Sequence, residues 1–223
     1  MSEQAGLLRE RLLRGLQQMQ IDLPADAIEK LLAYLQLLAK WNRAYNLTAV
    51  RDIEQMVSRH LLDSLSVLPF VQGSEKTPAA HFADVGTGAG LPGLVLAIAR
   101  PESQFDLLDS NGKKIRFVTQ AIAELQLKNA KAHCVRVEEF KLTQRCDAVL
   151  SRAFTSLSEF VRLCEHLLAP DGRLLALKGN YPAAEIAALP AHWQVQATHA
   201  LAVPEETGRR HLIVLSRRDS HSS

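Results

Sequence analysis

Hydrophobic residues recur at helical spacing from the start of the chain. Ala5, Leu8, Leu12, Leu16 and Met19 step by three and four residues, which predicts an amphipathic helix over 3–20. Arg9, Arg11 and Arg14 lie off that stripe and read as its solvated face. Pro24 and Asp26 open a second helix carrying Ile28, Leu31, Leu35 and Leu38, and the period breaks over 41–46. Asp52, with Gln55 three residues later, predicts the cap of a third helix whose apolar positions are Ile53, Met56, Val57 and Leu61. A polar, turn-rich connector follows at 72–78. Residues 1–72 are therefore expected to form a helical extension packed on the core that follows.

From residue 80 the pattern changes to short apolar runs alternating with helical stretches, which predicts a doubly wound α/β sheet. Runs at 80–85, 104–109, 132–137, 148–150 and 174–177 read as strands. Helices are expected at 92–100, 112–125 and 157–168, the last stopped by Pro170-Asp171-Gly172. Trp193–Ala200 and His211–Leu215 have no helix between them, so they should pair antiparallel and complete a seven-stranded sheet. The core is expected to span 80–216, with 217–223 a frayed tail.

Composition adds exclusions. Apolar content of 47% and charged content of 22% fit a soluble globular chain. A net charge of +2 does not demand a nucleic-acid partner, so any such partner must be argued from local clustering. Cys134, Cys146 and Cys164 are odd in number and widely spaced, which indicates neither a disulfide framework nor a zinc site. The N-terminus lacks a basic start and an apolar core, and no run reaches transmembrane length. A cytoplasmic monomer without membrane or metal is the expectation.

The chemistry is expected at Asp84-Val85-Gly86-Thr87-Gly88-Ala89-Gly90-Leu91-Pro92-Gly93, where a buried strand ends in a glycine turn and a helix begins. The glycines let the backbone turn sharply and approach a ligand without side chains in the way. A dinucleotide fingerprint needs a third glycine three residues after Gly88, and Leu91 stands there. The alternating glycines behind an acidic residue instead resemble motif I of class I S-adenosylmethionine methyltransferases.

In such a sheet, ligands lie beyond the carboxyl ends of the strands. Gly86 and Gly88 should face the cofactor. Asp109, at the end of the second strand, could accept both ribose hydroxyls of either NAD or S-adenosylmethionine, or cap a helix. Val137 and Glu138 follow the third strand, where an adenine ring needs an apolar neighbour and hydrogen bonds. Ser151-Arg152-Ala153-Phe154 ends the fourth strand without the Pro-Pro-aromatic stretch of amine methyltransferases, and no cysteine is placed for attack on a pyrimidine. An acceptor that is already nucleophilic, such as guanine N7, fits. Arg152 could grip a cofactor carboxylate or a phosphate, and Phe154 could stack on the acceptor base. Basic residues gather at Arg51, His60, Lys113, Lys114 and Arg116, and could hold phosphates. His60 equally suits a buried, hydrogen-bonded histidine. Asn180-Tyr181-Pro182, after the fifth strand, reads as a turn.

Several stretches together resemble one family. Asn46-Leu47-Thr48-Ala49-Val50, His60-Leu61-Leu62-Asp63-Ser64-Leu65, Asp84 to Gly93, Leu108-Asp109-Ser110, Arg136-Val137-Glu138-Glu139 and Ser151-Arg152-Ala153-Phe154 recur in that order in bacterial ribosomal RNA small subunit methyltransferase G, also called glucose-inhibited division protein B. The resemblance covers roughly 5–216. It implies methyl transfer from S-adenosylmethionine to N7 of one guanine in 16S ribosomal RNA, free or in a small-subunit assembly particle. It also implies cofactor contacts from Gly86, Leu91, Val137, Glu138 and Arg152. The RNA side would then comprise Asn46, Arg51, His60, Lys113, Lys114, Arg116 and Phe154. A ribosome-assembly factor without catalysis, or an NAD-dependent oxidoreductase, are the alternatives.

Overall fold

The computed structural model describes residues 3–72, 80–154 and 156–218. Most of the expected connector, and the tail beyond 218, lie outside the described residues.

The apolar stripes become α1 (Glu3–Gln18) and α2 (Ala25–Tyr45), with Leu12, Leu31, Leu35 and Leu38 fully buried. Asp52 caps the third helical segment, its Oδ1 accepting from the Glu54 amide at 3.0 Å. That segment is not one continuous α-helix. It is α3 (Ile53–Met56), a π-helical turn at Val57–Leu62 and α4 (Asp63–Leu65). The wider turn brings Ser58, His60 and Asp63 inward together with Val57, Leu61 and Leu62.

The core supplies β1 (His81–Val85), α5 (Gly93–Ala99), β2 (Gln104–Asp109), α6 (Gly112–Glu124), β3 (Ala130–Cys134), β4 (Cys146–Ser151), α7 (Leu157–Cys164), β5 (Leu168–Lys178), α8 (Ala183–Ala187), β6 (Trp193–Ala200) and β7 (His211–Arg217). The sheet runs β3-β2-β1-β4-β5-β7-β6, parallel except for β7, which pairs antiparallel with both β5 and β6. The order reverses between β1 and β4, so a crevice is expected beyond their carboxyl ends.

Three boundaries differ from expectation. β3 ends at Cys134 rather than 137, because Val137–Glu139 leaves the sheet as a 3-10 turn. α7 ends at Cys164, and β5 runs straight through Pro170-Asp171-Gly172. A register shift against β4 between Cys146 and Ala148 absorbs those residues, and an irregularity of this kind tolerates the missing proline N–H. At the C-terminus, β7 reaches Arg217, and the Arg218 amide donates to the His192 carbonyl at 3.0 Å, so these two residues are not frayed.

The helical extension and one face of the sheet share a single hydrophobic cluster that joins Leu12, Leu35 and Leu61 to Phe82, Leu94 and Phe105. No described helix is long and apolar enough to cross a membrane.

Candidate active site

The glycine turn is held from both sides. Gly86, Gly88 and Gly90 have φ of +71°, +60° and +86°, a region that side chains rarely adopt. The Gly86 and Thr87 amides donate to the Leu108 carbonyl at 2.8 and 2.9 Å, tying the turn to β2. Asp84 Oδ2 accepts from the Thr87 hydroxyl at 2.6 Å and from the Gly93 amide at 2.9 Å, which fixes the entry into α5. Burial pushes the Asp84 carboxyl up to about 6, with these hydrogen bonds and Arg152 opposing the shift. From the extension, the buried Tyr34 hydroxyl donates to the Ala89 carbonyl at 2.8 Å.

Asp109 closes the turn from β2. Its Oδ2 accepts from the Gly88 amide at 3.0 Å and from Lys114 Nζ at 3.4 Å, and its Oδ1 from the Asn111 amide at 2.8 Å. The helix cap that Asp109 could have supplied belongs to Asn111, which accepts from the Lys113 amide.

Two cavities flank the end of β4. The smaller, about 210 Å³, is lined by Gly86, Asp109, Val137, Glu138, Ala153 and Phe154 among others. Four of the seven expected cofactor residues meet there. A Cβ at Gly86 would stand 2.5 Å from that of Ala153, so the glycine is required where the two strand ends approach. Gly88 reaches the same place through Asp109. Leu91 is buried behind the turn and does not line the cavity; its amide donates to the Thr87 carbonyl at 2.9 Å.

The larger cavity, about 490 Å³, lies between the extension, β5 and the β6–β7 loop. Arg152 lines this one, not the smaller. Its Nη1 donates to Asp63 Oδ2 at 2.8 Å, and Arg210 Nε donates to Asp63 Oδ1 at 3.0 Å. Beyond Arg210, Glu206 accepts from Arg59 Nε and from the Ser58 hydroxyl, each at 3.2 Å. Lys178 Nζ donates to the Phe154 carbonyl at 3.0 Å and to Glu185 at 2.7 Å. The lining holds four cations (Arg59, Arg152, Lys178, Arg210) against two carboxylates (Asp63, Glu206), and with Glu185 pairing Lys178 from outside it one positive charge is left over, which favours an anionic ligand.

His60 lines this cavity as a neutral wall. Its Nδ1 donates to the Arg59 carbonyl and its Nε2 accepts from the Thr48 hydroxyl, both at 2.9 Å. Burial pushes its pKa down to about 4, so at neutral pH it is not a phosphate-binding cation. Phe154 lines the smaller cavity and not the larger, its ring stacked on Phe160 with centroids 5.0 Å apart. Asn46 and Arg51 bond to each other on the exposed end of α2, outside both cavities. Lys113 and Arg116 are exposed on α6, while Lys114 is drawn to Asp109. Buried Cys146 and Cys164 have their thiol pKa values raised by desolvation, which leaves them unreactive.

Sequence reasoning missed Asp63, Glu206 and Arg210. Asp63 stands in a quoted stretch, yet only the π-helical turn and the distant arginines reveal its role. Glu206 and Arg210 lie in a loop with no local signal.

A sequence profile described as rRNA small subunit methyltransferase G matches residues 27–213. The chain belongs to this family. Ribosomal RNA small subunit methyltransferase G of Marinobacter nauticus is 51% identical over 207 residues, covering 93% of this chain and 94% of that protein. Its namesake in Pseudomonas aeruginosa is 50% identical over 208 residues, covering 93% and 95%. Among solved structures, TrmN from Thermus thermophilus superposes with a TM-score of 0.56 at 20% identity, over 79% of this chain and 53% of that one. A SAM-dependent methyltransferase from Aquifex aeolicus gives 0.56 at 15% identity, over 80% and 97%. These two share the fold. As a member of the rRNA small subunit methyltransferase G family, the chain is an S-adenosylmethionine-dependent methyltransferase. The site fits that cofactor: bare backbone at Gly86, a carboxylate at Asp109 and an apolar wall at Val137 converge on one cavity.

Proposed function

We propose that this enzyme methylates N7 of a guanine in 16S ribosomal RNA, with the nucleoside end of the cofactor in the smaller cavity and the guanine in the larger. The observation that carries this reading is that consecutive residues line the two cavities, Ala153 and Phe154 the one at the glycine turn and Arg152 the one rich in cations.

In this reading Asp109 receives the ribose hydroxyls and Val137 and Glu138 flank the adenine. Gly86 contributes bare backbone close to the cofactor, with Gly88 held beside it through Asp109. Arg152, next to Ala153 in the chain but lining the larger cavity, would hold the cofactor's carboxylate. When bound, S-adenosylmethionine supplies an electrophilic methyl group on a sulfonium. Guanine N7 carries its own lone pair and needs no base to expose it, so the protein's task would be to position the ring and exclude water. The ring gains positive charge as it is methylated, and an uncompensated guanidinium beside it would oppose the reaction. Asp63 offsets part of that charge by bonding both Arg152 and Arg210, and Glu206 lies 4.0 Å from Arg210.

The proposal includes a cytoplasmic monomer acting on 16S ribosomal RNA or a small-subunit particle, with the helices before residue 72 walling the RNA side. The family relation favours an enzyme over a purely RNA-binding assembly factor and over an oxidoreductase. The test is tritiated methyl transfer to 16S ribosomal RNA from cells lacking the protein, with the product mapped by mass spectrometry. A 7-methylguanosine that appears with the wild type and not with Gly86→Asp is expected. A methyl group on any other atom overturns the acceptor assignment.

A further inference from the structure

The larger cavity has cations for phosphate but little to hold a base by its face. Phe154 is stacked on Phe160 beside the other cavity, and among the described lining residues only His60 and His211 carry rings. His60 is fixed by Thr48 and the Arg59 carbonyl. His211 begins β7 at the cavity wall, and the ring of Tyr181 stands against it edge-on, with centroids 6.0 Å apart and planes at 70°.

Tyr181 is unusual in its exposure. At 54% it is one of three large hydrophobic side chains exposed among the described residues, the other two being Leu7 and Leu13 on α1. It lies two residues beyond Gly179, which lines the same cavity, in the short passage from β5 to α8. A plain turn does not require an aromatic ring in solvent. An exposed ring set edge-on against His211, a wall residue of a cationic cavity, is what a single-stranded RNA base stacks on, since every base has a π-face and the contact needs no particular sequence.

We infer that Tyr181, backed by His211, is a stacking platform for the unpaired base that flanks the acceptor guanine. This rests on the proposed use of the larger cavity for RNA. The platform would hold the neighbouring nucleotide outside the cavity while the guanine enters it, with Arg59 and Arg210 close enough to the rim to meet the intervening phosphates.

The experiment compares wild type, Tyr181→Ala, Tyr181→Phe and Tyr181→Trp in methyl transfer to 16S ribosomal RNA from cells lacking the protein. Because the side chain is exposed, the variants should fold alike, and circular dichroism checks this. Tyr181→Ala should raise KM for RNA by about fivefold to 150-fold, the range that corresponds to ~1–3 kcal/mol of base stacking. Phe and Trp should stay near wild type, and calorimetric binding of S-adenosylhomocysteine should not change. The slope of log affinity against log salt should be the same in Tyr181→Ala as in wild type, since no phosphate contact is lost. A second probe, an unstructured adenine-rich oligoribonucleotide, reads stacking alone. If the wild type transfers no methyl group but Tyr181→Ala weakens this probe, the platform stands and the acceptor reading falls. The inference is overturned if Tyr181→Ala matches the wild type on both RNAs, or if Phe fails as badly as Ala.

Discussion

Arg152 Nη1 lies 2.8 Å from Asp63 Oδ2, and the other oxygen of that carboxylate is taken by Arg210 at 3.0 Å. A carboxylate from the helical extension therefore aims a guanidinium of the methyltransferase core. Asp63 is buried while Arg152 is about one-third exposed, so the acid is the fixed partner and the arginine the adjustable one. This explains why the extension and the core must fold as neighbours for the site to be complete.

Arg152→Ala removes a charge-assisted contact of the kind that contributes ~1.5–3 kcal/mol. The apparent constant for S-adenosylmethionine should rise by about 10-fold to 150-fold, and that for RNA by less. Asp63→Asn keeps the shape but removes the negative charge shared by the two guanidiniums, and should show the same bias more weakly. Steady-state kinetics with each substrate varied in turn separates the two effects. Normal cofactor binding with collapsed RNA binding would move Arg152 to the RNA side.

Gly86→Ala meets two obstacles: a φ of +71° and the Ala153 Cβ at 2.5 Å. The left-handed backbone alone disfavours alanine by about 1–2 kcal/mol. Loss of S-adenosylhomocysteine binding by at least about tenfold is expected in calorimetry. Gly6→Ala is the control, because a Cβ at that point of α1 meets nothing within 4 Å and alanine favours helix by up to ~1 kcal/mol. Its binding should be unchanged.

Tyr34→Phe leaves the Ala89 carbonyl without its buried partner. The loss should be about 1–3 kcal/mol, the cost of an unsatisfied buried acceptor, which in a chain of this size lowers Tm by roughly 2–12 °C. Scanning calorimetry would show it. Since the lost bond anchors the glycine turn, bound S-adenosylhomocysteine should also stabilise the variant less than the wild type.

His60 makes stability depend on acid. Its pKa is about 4 when folded against an ordinary 6.5, so the unfolded chain binds the extra proton. The stabilisation is complete above pH 6.5 and is lost as pH falls toward 4, amounting to about 3 kcal/mol over that window. Asp84 acts in the opposite sense, its raised pKa of about 6 making the folded state weaker as pH rises from 4 to 6. Comparing wild type with His60→Gln isolates the histidine. In urea unfolding, the advantage of the wild type should shrink steadily from pH 7 to pH 4.5. A constant difference would mean the ring does not titrate as its burial requires.

The sequence by itself determined the two helical stripes, the seven-stranded sheet with its antiparallel end, and the glycine turn with Asp109 on the next strand. Each rests on short-range information: a period of three to four residues, a run of apolar positions, or glycines where the backbone must reverse. The stretches quoted from Asn46 to Phe154 also carried the family. Tertiary structure alone decided what the side chains do with that frame. Val137 reaches the smaller cavity because β3 ends early, and the Phe154 ring stacks on Phe160. His60 is neutral because the π-helical turn buries it, not because of any residue beside it in sequence. Asp63 meets Arg152 across 89 residues and Arg210 across 147. Local periodicity carries no record of such pairs, since their energy depends on the burial and distance that only the folded chain creates.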